Sequence, residues 1–236
     1  MPKERVKNTK PKPWRDVVHA AMYKAALDEA RRQSQFEQPP FMYRWEHVKA
    51  VVNTAVKLAG LTGADVEVVE AAAWLHDIAK GSGEDHPRQG ARIARQLLPK
   101  TDFPAEKIEP VALAIEEHKG LWLDAPLSTL ESQVLWEADK LTKIGLIAAI
   151  HWLAGSIAAG KDNDTEGIIR DHQAAEWRAK TVASMQTSAA RQVALQRFDA
   201  YNWLWQQLES EWQGEDLMTV SAENFFPGDS PELTPR

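Results

Sequence analysis

His76 and Asp77 stand side by side in the run Ala73-Trp74-Leu75-His76-Asp77-Ile78-Ala79-Lys80. The apolar residues before them predict a buried helix. An imidazole and a carboxylate at the end of such a helix are costly to bury unless they are paired or hold a cation. Two groups on predicted neighbouring helices can join them: His47, 29 residues before His76, and Asp139, 62 residues after Asp77. Together they form a mixed nitrogen and oxygen donor set for one divalent ion. Such an ion lowers the pKa of bound water and polarises a phosphoryl oxygen. Plainer roles stand beside this one. His47 lies among valines and suits a hydrogen-bonded core position. Asp77 suits a helix-end carboxylate paired with a histidine, and Asp139 a buried salt bridge to Arg44 or Lys140. Adjacent residues also point about 100° apart on a regular helix, so a shared target for His76 and Asp77 requires the helix to end there.

The elements that must position these groups are all helical. Asp16 to Gln33 predicts a first helix, stopped by Gln38-Pro39-Pro40. The second runs from Tyr43 to Leu58 with Val48, Val51, Val52 and Ala55 inward, and Gly60 to Ala64 turns the chain. Asp65 caps the third, which ends near Ile78. Gly81 to Asp85 predicts a flexible loop, and a fourth helix follows over His86 to Leu98. A fifth starts between Glu106 and Pro110 and closes at His118. Ser128-Thr129-Leu130-Glu131 reads as a capping box opening a sixth, which passes Asp139 and extends toward His151. Two long helices, Thr165 to Met185 and Ser188 to Trp212, complete the set.

Composition agrees with an all-α fold. The chain of 236 residues has only 12 glycines, and strand-like alternation is nearly absent. It is long enough to bury a sizeable core. With no cysteine, disulfides and thiolate ligands are excluded, so a metal must use His, Asp or Glu. A formal charge of −6 argues against extensive nucleic-acid binding. No apolar run spans a bilayer and the N-terminus lacks a secretory apolar core, so a cytoplasmic location without membrane association is expected. Residues 1–12, with five Lys/Arg, read as a basic flexible arm, 13–213 as one helical domain, and 214–236 as a mobile tail.

Four stretches in register resemble the HD-domain phosphohydrolase superfamily: Arg44-Trp45-Glu46-His47, Ala71 to Ile78, Ile115-Glu116-Glu117-His118, and Glu137-Ala138-Asp139-Lys140-Leu141. The resemblance covers about Tyr43 to Gly145 and, more weakly, reaches Trp212. It implies an HD-type helical bundle, here with two additional C-terminal helices. It also implies a hydrolase using a divalent ion (Mn, Fe, Co, Ni, Zn or Mg) on His47, His76, Asp77 and Asp139. In that family the aspartate of the doublet touches both metal and nucleophilic water, which makes Asp77 the residue expected to orient the water and take its proton.

His86 and His118 form a second layer. Some superfamily members hold a second ion with extra histidines in this region. A one-ion enzyme would give them substrate or leaving-group contacts, and solvated helix ends are the plain alternative. Lys80, Arg44 and Lys119 are candidates to neutralise phosphate. Lys80, one turn past His76, is the best placed and is expected to act in catalysis. Lys140 and Lys143 are weaker, because their helix already presents Asp139. His19, His151 and His172 have no motif context and read as structural or surface residues. Trp122 is a candidate wall for a nucleotide, and the aromatic last helix is expected to pack either on the bundle or on a second subunit of a homodimer.

The chain lacks the Glu-Asp pair that follows the doublet in alarmone hydrolases, with Lys80-Gly81 in its place, and it lacks the Gly-Tyr-Pro element of cyclic-di-GMP phosphodiesterases. It is closer to small stand-alone nucleotide hydrolases, whose later Met-x-Thr-x-x-Ala-Arg is echoed by Met185 to Arg191. Thr142-Lys143 departs from the small or acidic residues usual after the last aspartate. The expected activity is hydrolysis of a phosphoester or phosphoanhydride in a small nucleotide-like substrate, with one ion favoured over two. The alternatives are a two-metal phosphodiesterase for cyclic or oligonucleotide substrates and a non-catalytic nucleotide-binding module.

Overall fold

The computed structural model describes residues 11–34, 36–159, 164–173 and 176–219. The arm at 1–10, Gly160 to Asn163 and the tail from 220 lie outside them. Among the described residues there are ten α-helices and no strand, only an isolated bridge between Lys12 and Thr101.

The centre of the bundle is α3, Val66–Leu75. Its sequence is almost wholly apolar, and Val68, Val69, Ala71, Ala72, Ala73 and Leu75 are all buried, as expected of a helix surrounded by others. Asp65 caps it by accepting the amides of Glu67 and Val68. Small alanines let α1 (Trp14–Ser34), α2 (Tyr43–Thr62), α5 (Ile108–Glu117) and α6 (Leu130–Leu141) all approach it. On α2, Val48, Val51, Val52, Ala55, Leu58 and Ala59 form the buried stripe, and Gly63 ends the helix in the left-handed conformation at φ 80°. α4 (His86–Leu97) crosses α5 and meets the end of α3 at Gly90. A Cβ there would stand 3.2 Å from Ile115 Cγ2 and 3.4 Å from the His76 carbonyl oxygen. α7 (Leu146–Ala158), α8 (Thr165–Gln173), α9 (Trp177–Ala183) and α10 (Ser188–Gln213) complete the chain. Ala149, Ile169, Tyr201 and Trp205 make a second small core among them.

Several expected boundaries move. α3 stops at Leu75 rather than Ile78. Ile78 N–H bonds Leu75 O and Lys80 N–H bonds Asp77 O, so the chain tightens into i→i+3 turns. The loop over 81–85 is a short 3₁₀ turn, Lys80–Asp85, with Gly83 at φ 64°. The sixth helix does not extend to His151. It ends at Leu141, and α7 departs at 64°. Thr142 Oγ1 caps the Asp139 carbonyl and Arg197 takes the Leu141 carbonyl, which satisfies the last turn of α6. Its opening cap is Thr129 bonding Ser132 N–H, not a box of Ser128 with Glu131. Glu131 instead accepts the Asp65 amide, tying α6 to the start of α3. The expected helix over Thr165 to Met185 divides into α8 and α9, with Arg178 on the His172 carbonyl.

Met185 to Arg191 attaches α10 to α6. The buried Glu137 carboxylate accepts Gln186 N–H at 2.5 Å, Thr187 N–H at 2.6 Å and the Thr187 hydroxyl at 2.7 Å. No single helix among the described residues is long and apolar enough to cross a membrane.

Candidate metal centre

Five helices deliver six side chains to one buried point. His47 comes from near the start of α2, one turn in from Tyr43, and His76 and Asp77 from the turn ending α3. His86 opens α4, His118 ends α5, and Asp139 sits in the last turn of α6. The tightened turn after Leu75 is what brings the adjacent His76 and Asp77 to the same target.

Asp77 is the pivot. Its Oδ2 lies 3.7 Å from His47 Nε2 and 3.6 Å from His76 Nε2. His47 Nε2 in turn lies 3.1 Å from Asp139 Oδ1. The other oxygen, Oδ1, faces the opposite way, 3.4 Å from His86 Nε2 and 3.7 Å from His118 Nε2, and those two nitrogens are 3.3 Å apart. His47, His76 and Asp77 therefore form one triad and Asp77, His86 and His118 a second, each with donor atoms within 4.8 Å of one another. Atoms bound to a cation at about 2.1 Å and 90–120° apart are themselves separated by about 3.0–3.6 Å, close to the spacings seen.

The proton inventory also fits a cation. Nδ1 of His76, His86 and His118 meets the carbonyl three residues back, Ala73 at 2.7 Å, Gly83 at 2.8 Å and Ile115 at 2.5 Å. A carbonyl can only accept, so each Nδ1 carries the proton and each Nε2 presents a lone pair to the site. His47 Nε2, His76 Nε2 and Asp77 Oδ1 are buried with no hydrogen-bond partner. Asp139 Oδ1 likewise has no well-aligned hydrogen bond, although the Lys143 ammonium stands 2.7 Å away as an ion pair. Converging orphaned acceptors are expensive unless a positive charge lies among them.

Charge states match as well. Burial pushes the His76 pKa down to about 3 and lowers those of His47 and His86. Burial alone would raise the pKa of Asp77, but the Arg44 guanidinium, followed by the His76 and His118 imidazoles and then the Lys80 ammonium, outweighs it and holds it well below the usual range. Lys140 and Lys143 do the same for Asp139. Neutral imidazoles and ionised carboxylates are the forms that bind metal.

The cationic candidates divide by position. Arg44 is buried, with its guanidinium on Asp77 Oδ2 and both Glu29 oxygens, so it braces Asp77 from behind. Lys80 is at the mouth, 3.1 Å from His86 Nε2 and 3.4 Å from Asp77 Oδ1. Lys119 is exposed and pairs with Glu84 at 3.0 Å. Lys140 pairs with Asp139 and donates to the His118 carbonyl at 3.2 Å, and burial pushes its pKa down to about 8. Lys80, Lys119, Lys140 and Lys143 all line a cavity of ≈ 250 Å³ that opens onto His86 and His118. A larger hollow of ≈ 410 Å³, between Leu123–Pro126 and the α9–α10 junction, holds none of these residues. Sequence reasoning missed Glu29 and the contact of Thr142 with His47 Nδ1 at 3.2 Å, and it underrated Lys143. No motif marked Glu29 or that contact. Among the histidines without motif context, His19 is exposed while His151 and His172 are buried. Trp122 is largely exposed, beneath the Lys180 ammonium.

Residues 44–144 match the family model of the HD domain. A predicted HD superfamily hydrolase from an uncultured Thermotogales bacterium superposes with a TM-score of 0.60 at 22% identity, covering 85% of this chain and 94% of that one. Bacillus subtilis YpgQ in complex with ADP superposes with a TM-score of 0.56 at 22% identity, covering 84% and 99%. A shorter likeness, 51% identity over 51 residues, links the chain to the bifunctional uridylyltransferase/uridylyl-removing enzymes of Nitrobacter winogradskyi and Rhodopseudomonas palustris. The match spans 22% of this chain and only 6% of the length of those relatives. Residues 44–144 of the chain thus carry an HD domain.

Proposed function

We propose that this chain is a metal-dependent phosphohydrolase acting on a small nucleotide-like substrate. The observation that carries the reading is the buried triad of His47, His76 and Asp77, with Asp139 against His47, beside a lysine-lined cavity that reaches Asp139. His47, His76, Asp77 and Asp139 would hold a divalent cation. Bound there, it would supply an acidified water and a Lewis acid for a phosphoryl oxygen. The chain's own groups do the rest. Asp77, braced by Arg44, orients the water and accepts its proton. Lys80 stands beside Asp77 Oδ1, where it neutralises charge on the transferring phosphate. Lys119 and Lys143, on the cavity wall, suit the outer phosphates of a substrate with more than one. The structural likeness to YpgQ, which was solved with ADP, supports a nucleotide.

A second reading has its own observation. Asp77 Oδ1 faces His86 and His118 in the manner of Oδ2 toward His47 and His76, which supports a second ion and hydrolysis of a phosphodiester. A uridylyl group is a nucleotide joined through its phosphate, so the short likeness to uridylyl-removing enzymes points the same way. Metal analysis and a substrate panel separate the two. The panel holds nucleoside di- and triphosphates, cyclic dinucleotides, and mono- and bis-p-nitrophenyl phosphate. Turnover of the di- or triphosphates, lost in Asp77→Ala and weakened in Lys80→Ala with metal retained, is the expected result. Diester turnover with two ions per chain promotes the second reading. Metal-loaded protein inert on the whole panel leaves the non-catalytic module and refutes the proposal.

A further inference from the structure

Thr142 follows Leu141 as the C-cap of α6, and its buried hydroxyl meets two groups. It lies 2.7 Å from the carbonyl oxygen of Asp139 and 3.2 Å from His47 Nδ1. A hydroxyl has one proton and a carbonyl has none to give. The Thr142 proton is therefore committed to Asp139, and the second bond runs from His47 Nδ1–H to Thr142 Oγ1. This leaves the His47 lone pair on Nε2, the atom 3.1 Å from Asp139 Oδ1 and 3.7 Å from Asp77 Oδ2.

We propose that Thr142 is the positioning residue that selects the tautomer and ring orientation of His47, so that Nε2 is the nitrogen presented to the metal. The inference rests on the metal reading above and deepens it. The other three histidines sit at helix ends, where a carbonyl three residues back accepts their Nδ1–H. His47 has no such option, because it lies inside α2, where main-chain carbonyls are taken by the helix itself. Its orienting partner has to come from another element. The end of α6 supplies it, since the last-turn carbonyl of Asp139 holds the Thr142 proton in place. One residue pair thus links the ligand at position 139 to the ligand at position 47. Through this contact the Thr142 that departs from the family pattern has a use.

The test uses the full chain with Thr142→Val, Thr142→Ala and Thr142→Ser. Nitrogen-15 spectra of the metal-free protein report the His47 tautomer, and Zn²⁺ titration reports affinity. Nδ1–H on His47 is expected in wild type and Thr142→Ser. In Thr142→Val and Thr142→Ala the Nε2–H form should appear and Zn²⁺ affinity should fall about 10- to 100-fold, the usual scale for losing such a partner. Recovery in the serine variant excludes a purely steric effect. His47 found as Nε2–H in metal-free wild type overturns the inference even if the valine variant fails to fold, as does unchanged affinity in folded Thr142→Val. Wild type that binds no Zn²⁺ while keeping Nδ1–H overturns the metal reading instead, and with it the purpose assigned to Thr142.

Discussion

Arg44→Met tests the electrostatics of the centre most directly. Methionine keeps the apolar stem and removes the guanidinium. The Glu29 side chain is 15% exposed, so water can replace its lost bonds. The Asp77 side chain is 2% exposed, so its carboxylate is left buried without its main counter-charge. Uncompensated buried charge costs about 3–5 kcal/mol. Lys80, 3.4 Å away, keeps the cost at the lower end, about 3 kcal/mol. For a chain of this size that corresponds to a fall in Tm of about 6–12 °C. The cost must also depend on metal, because a bound cation supplies the charge that Arg44 no longer does. Thermal unfolding of wild type and variant, once with chelator and once with saturating Mn²⁺, measures both effects. The variant should lose markedly less stability with Mn²⁺ than with chelator. An equal loss in both conditions refutes the idea that Arg44 and the metal act on the same carboxylate.

Asp77→Ala should retain the helical circular-dichroism signal yet bind no metal at either triad by elemental analysis, whereas bound metal would show that Asp77 is not the shared ligand. If two ions bind, His86→Ala/His118→Ala should lower the count from two to one, and an unchanged count of two would place the second ion elsewhere. Glu137→Ala removes three bonds at the start of α10 and should destabilise by about 3 kcal/mol in urea titration; a loss below about 1 kcal/mol would mean that Glu137 does not anchor α10. His172 lies buried among Trp152, Tyr201 and Trp205, and burial followed by Arg178 pushes its pKa down to about 4. The unfolded chain takes up that proton near pH 6.5, so this stability is full above pH 6.5 and declines toward pH 4, by about 3 kcal/mol in all. Urea midpoints across that range should flatten in His172→Phe, and an unchanged slope would assign the acid sensitivity to another group.

The local rules of helix formation made much of this protein legible from its residues. Valines and alanines at helical spacing announce α2 and α3, and Asp65 announces the start of α3. His47, His76, Asp77 and Asp139 stand out because polar groups on apolar helix faces demand partners, and the structure brings all four together. Other features depend on atoms far apart in the chain. α6 ends early because Arg197, 56 residues on, takes the Leu141 carbonyl. Thr129 and not Ser128 caps α6 because Glu131, the far member of the expected box, is drawn to the Asp65 amide. Glu29 matters only through Arg44, and Thr142 only through His47, and neither pairing leaves a periodic or compositional trace. Whether His86 and His118 face the shared aspartate is also a tertiary matter. It depends on which way each Asp77 oxygen points, and that follows from the tightened turn after Leu75 and the close crossing of α4 at Gly90. Residue type and spacing thus determine which groups must be satisfied, and the packing of distant helices decides which partners satisfy them.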